Sequence, residues 1–451
     1  MLINYNLEAS IGRSPSSINE RVSLLKNLVD NGLIFSAQEI IRRDLIKGRW
    51  IKNYEGFLDS IIEEIGTEQL DRLNFSSGQL RKSKNLNYIA GKGELRKNNY
   101  KRSSSLIAKS LKPDSSYYPN QLFLLASSQL LGGDYKKAGN NFIDCENSLK
   151  NKIPSDESFF GYEKRMILDS CILNQARLDF ERGNFLLASK QYEKIEKSSL
   201  VWPSILFEEA WSSFYQGNYN RALGKLVTYK SPFFEFVFNP EVEVLEALSY
   251  MEICFYENTQ KVVNKFYEKY GSDSKYLKRF LNKYGSNNLK IGTLLINFEN
   301  GTTVKNKLLN RIFNSIRKDL VFSRLINNYE SLRGELELVK KYPERKYRSY
   351  LAKKLKSAEK RQRRLIGSYA IRILDRSSRL LDKSFRGMSY IRLEILKKEK
   401  EKFFGKNYTV GKVGNLKNVK FDSKSYLWEF NGEFWADELG DYVFSLKSQC
   451  I

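Results

Sequence analysis

One segment of this chain returns 34 residues later with its key positions intact, and that repetition restricts the possible folds more than any other feature. In the first copy Ala176 is followed by Gly183, Phe185 and Ala188; in the second Ala210 is followed by Gly217, Tyr219 and Ala222. The same internal spacing recurs upstream as Ala126, Gly133, Tyr135 and Ala138. It recurs downstream as Ala247, Cys254, Tyr256 and Thr259, with Cys in place of the Gly and Thr in place of the second Ala. A degraded fifth copy reads Gly91, Asn98, Tyr100 and Ser103. Each position has a physical use. A small residue lets two helices approach closely, a Gly takes the tight turn between them, and the aromatic starts the second helix facing the first.

A 34-residue period with this content resembles the tetratricopeptide repeat (TPR), a pair of antiparallel helices that stacks on its neighbours. The expected fold is all-α: a TPR-type α-solenoid, then a long helical hairpin or coiled-coil arm, then a small C-terminal β element. Only eight prolines in 451 residues agree with a mostly helical chain.

Read in order, residues 1–86 carry apolar positions at helical spacing and form an N-terminal helical cap or divergent repeats. Residues 87–270 are the solenoid. The interval from Ala126 to Ala176 is longer than the period, and the polar stretch 147–160 reads as a loop insertion. A second insertion, Ser231 to Asn239 followed by Pro240, places four phenylalanines between two prolines and reads as extended. Its rings either pack back on the solenoid or offer a partner an anchor, and packing is favoured. Residues 271–303 look like a transition rich in Gly, Ser, Asn and Lys, with a short helix or two. Residues 304–404 read as a long basic helical hairpin broken at Pro343. The last part, 405–451, is a linker over 405–418 and an aromatic-rich element. There Tyr426, Trp428 and Phe430, then Tyr442, Phe444 and Leu446, alternate as in a β hairpin. Glu433, Asp437 and Glu438 read as surface, capping or ion-pairing carboxylates rather than catalytic ones.

The formal charge of +24 is uneven. Between Lys340 and Lys402 there are 22 Lys and Arg against 7 Asp and Glu. The densest run holds Lys360, Arg361, Arg363 and Arg364, the candidate contacts to an anionic surface. There is no histidine, which removes His-based acid–base, nucleophilic and metal chemistry. The glycines at 91 and 93 fit no phosphate-binding fingerprint, and the expectation is no enzyme activity, no cofactor and no metal. Cys145, Cys171, Cys254 and Cys450 are too scattered for a CxxC motif. The first three read as small buried hydrophobes, while Cys450 is left open as reactive or paired. No signal peptide or spanning apolar run is visible.

Four stretches together resemble large TPR proteins of gliding and predatory bacteria, including those of myxobacterial adventurous gliding motility. They are Ile205 to Trp211, Gly217 to Leu223, the Ser231 to Phe234 insertion and the Trp428 to Gly440 tail, within a span from Leu122 to Cys450. That resemblance implies an exported scaffold, periplasmic or envelope-associated if an export signal has been removed and cytoplasmic otherwise.

The leading expectation is a non-enzymatic protein–protein scaffold that takes a partner in the TPR groove, with the basic arm facing an anionic envelope surface. Candidate groove contacts, from the repeat frame, are Asn174, Arg177, Glu181, Glu208 and Ser212. The alternative is nucleic-acid binding by the basic arm, disfavoured because its cationic run lacks interleaved aromatic rings. Oligomeric state is open.

Overall fold

The computed structural model describes residues 18–150, 159–341, 343, 345–403 and 428–450. Most of the loop insertion at 147–160, all of the linker at 405–418 and Tyr426 of the expected strand lie outside them. Helices dominate. In chain order they are α1 (Ile18–Asp30), α2 (Ile34–Ile46), α3 (Tyr54–Ile65), α4 (Ser77–Lys82), α5 (Lys84–Arg96) and α6 (Tyr100–Ser110). Next come α7 (Tyr118–Leu131), α8 (Tyr135–Leu149), α9 (Phe159–Glu181), α10 (Phe185–Tyr192), α11 (Trp202–Tyr215) and α12 (Tyr219–Val227). The last six are α13 (Glu241–Glu252), α14 (Tyr256–Tyr284), α15 (Asn288–Glu299), α16 (Lys307–Arg317), α17 (Leu320–Lys340) and α18 (Arg345–Phe403).

All five sequence copies are helical hairpins: α5–α6, α7–α8, α9–α10, α11–α12 and α13–α14. The small residues Ala126, Ala138, Ala176, Ala188, Ala210, Ala222 and Ala247 are wholly buried, as are Ser103 and Thr259. Each turn uses one residue in the left-handed region: Gly133, Gly183 and Gly217, with Asn98 in the first copy and Cys254 in the fifth. The amide after that residue then bonds back to the carbonyl five residues earlier, as Asp134 to Gln129, Asn184 to Asp179, Asn218 to Ser213 and Phe255 to Tyr250, each at 2.9 Å. This Schellman closure satisfies a carbonyl the helix end would otherwise leave bare. Asn tolerates the left-handed region; Cys does so at a cost of about 1 kcal/mol.

The chain forms two compact units. The first contains the described residues of Met1–Cys171, Asn288–Ile296 and Leu320–Ser368. Its main core joins α1–α3 to α17 and the start of α18, through Leu24, Leu28, Ile41, Leu58, Leu332, Leu336, Leu351 and Leu355. The expected arm is therefore not free in this unit: its apolar stripe is core. Pro343 does separate the two helices. The Glu335 carboxylate accepts from the Phe35 and Ser36 amides at 2.9 and 2.7 Å, capping α2 from another helix. α15 and α18 touch backbone to backbone, since a Cβ on Gly367 would lie 1.8 Å from the Asn288 carbonyl oxygen.

The second unit contains the described residues of Ile172–Asn287, Asn297–Asp319 and Tyr369–Ile451. The stretch read as a transition is mostly helix. α14 runs on to Tyr284, with Gly271 in open space inside it, and α15 follows. The phenylalanine insertion is not extended throughout: a 3-10 turn, Thr228–Lys230, leads into it and a second, Pro232–Phe234, lies within it. Its rings divide. Phe234 is buried against Trp202 at 5.8 Å, Phe238 stands edge-on to Tyr270 at 6.4 Å, and Phe233 is 61% exposed.

The C-terminal element is a parallel pair, β1 (Trp428–Glu429) and β2 (Tyr442–Val443), not the expected hairpin. The reason is its docking on α12. Gly224 has no side chain where a Cβ would lie 1.8 Å from the Tyr442 carbonyl oxygen. Asn220 then bonds Leu446 on both sides, through its amide at 2.9 Å and its carbonyl at 3.0 Å. Asp437 and Glu433 are exposed and Glu438 half-buried, on the surface rather than in a cleft.

The cysteines correct the sequence reading. Cys145 pairs with Cys171, linking α8 to α9, and Cys254 pairs with Cys450 across 196 residues. Cys254 is thus both the left-handed turn residue and the tether of the tail.

Within the first unit, Glu68 is buried 2.7 Å from the Lys92 ammonium. Burial pushes its carboxyl up, but Lys92 and Arg324 outweigh burial and hold it at about 2. At Asp71 the balance reverses. Burial prevails over Arg96, which lies 2.7 Å away, and pushes the carboxyl up to about 6. Glu68 therefore contributes stability that is present above its ordinary 4.5 and is lost as pH falls towards about 2. Asp71 acts with the opposite sign: its folded value exceeds its ordinary 3.8, so it weakens the fold as pH rises towards about 6. Urea midpoints across pH should show a flatter acid limb for Glu68→Gln below 4.5. Asp71→Asn should remove a gain of stability on acidification from about 6 to 3.8. A Glu68→Gln chain with the wild-type acid slope contradicts this assignment.

Candidate partner-binding cleft

α14 is amphipathic because Thr259, Val263, Phe266, Tyr270 and Leu277 recur at helical spacing and are buried. Lys261, Lys265 and Lys269 follow at four-residue intervals and so form a row on an adjacent, exposed face. α16 repeats the arrangement. Leu308, Leu309, Ile312, Phe313 and Ile316 are buried, while Lys307, Asn310, Arg311 and Asn314 occupy the other side. Asn306 starts this helix by accepting from the Leu309 amide at 2.9 Å. Between the two helices, and walled by Tyr229 and by Phe236, Val237 and Asn239 of the insertion, lies a cleft of about 1300 Å³ within the second unit.

Its charges do not cancel. Eight Lys and Arg side chains line it against four Glu, so its lining is net cationic. Three of the four carboxylates are already engaged: Glu246 with Lys230 at 2.7 Å, Glu243 with Lys269 at 2.6 Å and Glu299 with Arg317 at 2.8 Å. Lys261, Lys265, Lys307, Arg311 and Lys318 have no ion pair among the described residues, and Arg311 Nε is buried without a hydrogen-bond partner. Burial first, and then the Glu243 charge, raise the Tyr270 phenol against the opposing charge of Arg311. Half-buried Asn258, Asn310 and Asn314 add amide donors and acceptors to the same walls. The arrangement can hold an anionic, hydrogen-bonding guest that also covers apolar surface. Among the described residues no group of three or more Cys, Asp or Glu could hold a metal ion, and no helix is long and apolar enough to cross a membrane.

The groove residues expected from the repeat frame are not assembled into a site. Arg177 grips Glu208 with two nitrogens, at 3.0 and 2.6 Å, and Tyr192 donates to the same carboxylate at 3.0 Å. The pair therefore links α9 to α11. Ser212 is wholly buried and donates to the Glu208 carbonyl at 3.1 Å, so it cannot meet a partner. Asn174 is half-buried and Glu181 exposed. The row at Lys261, Lys265 and Lys269 was missed, although its four-residue spacing is a legible signal.

The basic run in the first unit is also rearranged by helical geometry. Lys360 and Arg364 are exposed. Arg361, however, forms an ion pair with buried Glu39 and donates to Gln69 at 3.3 Å and Ser357 at 2.9 Å. Arg363 pairs with Glu359 at 2.7 Å and lies over the Tyr329 ring at 5.6 Å. Between them Gln362 is fully buried, donating to the Leu325 carbonyl at 2.8 Å. Four cations in sequence thus leave two for a surface, because successive helical positions point in different directions.

No protein-family model matches this chain, and no curated protein matches it. Among solved structures, it is similar to the Rap conjugation gene regulator of the plasmid pLS20 in complex with the Phr* peptide, at 13% identity and a TM-score of 0.33, over 80% of this chain and 95% of that one. A circular tandem repeat protein with novel repeat topology is similar at 17% identity and a TM-score of 0.18, over 88% of this chain and 90% of that one. At these scores neither likeness bears on what the cleft holds.

The contrast within the basic run is measurable. Arg361→Ala removes the ion-pair partner of the buried Glu39 carboxylate and should cost about 3 kcal/mol. Arg364→Ala, on the exposed side, should change stability by less than about 0.5 kcal/mol. Denaturant unfolding of both variants checks this, and equal small losses would remove the structural role assigned to Arg361.

Proposed function

We propose that this protein is a non-enzymatic scaffold that grips an extended, acid-bearing segment of a partner protein in the cleft between α14, α16 and the phenylalanine insertion. The observation that carries this reading is the set of cations left without carboxylate partners along that cleft. Its volume of about 1300 Å³ exceeds the usual few hundred to about 1,000 Å³ of small-molecule sites. A uniform polyanion such as nucleic acid would also meet the four Glu side chains of the lining. A peptide can present carboxylates to the lysines, its backbone to the asparagines and an apolar side chain to Phe236.

The scaffold works outside the reducing cytoplasm, in the periplasm or on the envelope. Two disulfides use all four cysteines of the chain, and such pairs persist in oxidising compartments. A place in a motility-type envelope assembly follows from the sequence resemblance described above.

Both parts can be tested in the native cell. A photo-crosslinking residue in place of Asn314 should capture one discrete protein, and Lys261→Glu with Lys265→Glu should abolish the capture. Adducts to nucleic acid, or none, would overturn the peptide reading. Acid-quenched thiol labelling of the denatured chain should find no free cysteine; four free thiols would contradict export.

A further inference from the structure

The last five turns of α18 carry a second surface, independent of the cleft. Met388, Ile391 and Ile395 are buried and fix the inward face of the helix. On the opposite face Tyr390 is 70%, Leu393 62% and Leu396 53% exposed, a density of large apolar groups that water does not favour. Cations interleave with them. Arg386, Lys397 and Lys400 are exposed and have no ion-pair partner among the described residues, and at 100° per residue they fall on the same side as Tyr390 and Leu393. From Arg386 to Lys400 the row spans roughly 21 Å. Glu394 and Glu399, the carboxylates of this stretch, lie on its two flanks. Just upstream, Lys383 is held by Glu241 and Arg379 by Asp375.

We propose that this face docks the protein on the surface of an anionic lipid bilayer. Leu393, Leu396 and Tyr390 enter the boundary between headgroups and acyl chains, while Arg386, Lys397 and Lys400 extend to the lipid phosphates. Charge decides among the possible occupants. A second copy would bring the same cations face to face, and the chain as a whole carries +24. A nucleic acid would satisfy the cations but leave three large apolar side chains in water. A bilayer with anionic headgroups meets both demands, and its surface potential attracts each cation. The expected contact of the basic helix with an anionic surface is thereby moved from Lys360–Arg364 to a different stretch of the same helix.

The test is flotation of the full-length protein with phosphatidylcholine vesicles, with and without phosphatidylglycerol. Binding is expected only with the anionic lipid. Arg386→Glu, Lys397→Glu and Lys400→Glu together should weaken it on the order of 100-fold. Leu393→Ser with Leu396→Ser should weaken it about tenfold at unchanged ionic strength. All these side chains are exposed, so the melting temperature should hold, and circular dichroism checks it. No flotation with anionic vesicles overturns the proposal, as does flotation indifferent to the leucine pair. Sedimentation as a dimer that Leu393→Ser disperses, with no flotation, would assign the face to a second copy instead.

Discussion

The second unit and the repeats depend on one backbone event, the single left-handed residue that ends the first helix of each hairpin. It reverses the chain in three residues and lets the following amide close on a helix-end carbonyl, so the two helices leave the turn already side by side. Only small residues then fit between them, which is why Ala176 and Ala188, or Ala210 and Ala222, are wholly buried. Where Gly is absent the chain uses Asn98, which tolerates this region, or Cys254, whose disulfide to Cys450 gives the residue a second purpose. The fifth hairpin's strained turn is also the anchor of the C-terminal tail.

From that scaffold the cleft follows. The fifth hairpin supplies α14 and the insertion before it supplies the aromatic wall, while α16, which follows the repeats, closes the other side. Its character comes from a competition between carboxylates and cations for one another. Glu243, Glu246 and Glu299 each select one basic partner, and Lys261, Lys265, Lys307, Arg311 and Lys318 form no ion pair among the described residues. Such an imbalance costs self-repulsion in the empty protein and is relieved by an anionic guest. The phenylalanine insertion does two jobs, with Phe234 inside the core and Phe236 half-buried at the cleft.

How much of this could be read from the sequence depended on the range of the interaction involved. Hairpin boundaries were legible because turn and packing residues recur within one period. The departure at Cys254 was legible too, but its partner lies 196 residues away and no spacing rule reaches that far. Arg361 looked like a surface cation because its counter-ion, Glu39, is 322 residues distant. Arg177 and Glu208 were both singled out as contacts for a partner, yet they sit in consecutive hairpins and satisfy each other. The tail was expected to turn back as a hairpin, and alternation alone could not reveal that Gly224 offers Tyr442 a backbone contact that directs β2 parallel to β1. The cleft's lysine row had a clear period, but a row of lysines reads as a solvated face until α16 is placed opposite it.

The central claim is that the cationic cleft, and not the helix face bearing Arg177 and Glu208, receives the partner segment. The most direct measurement is hydrogen–deuterium exchange of the full-length chain with and without a synthetic peptide of mixed glutamate and aromatic residues. Protection confined to the insertion, α14 and α16 is the predicted result. Protection on α9 and α11 in its place, or none at peptide concentrations that saturate binding, would contradict it.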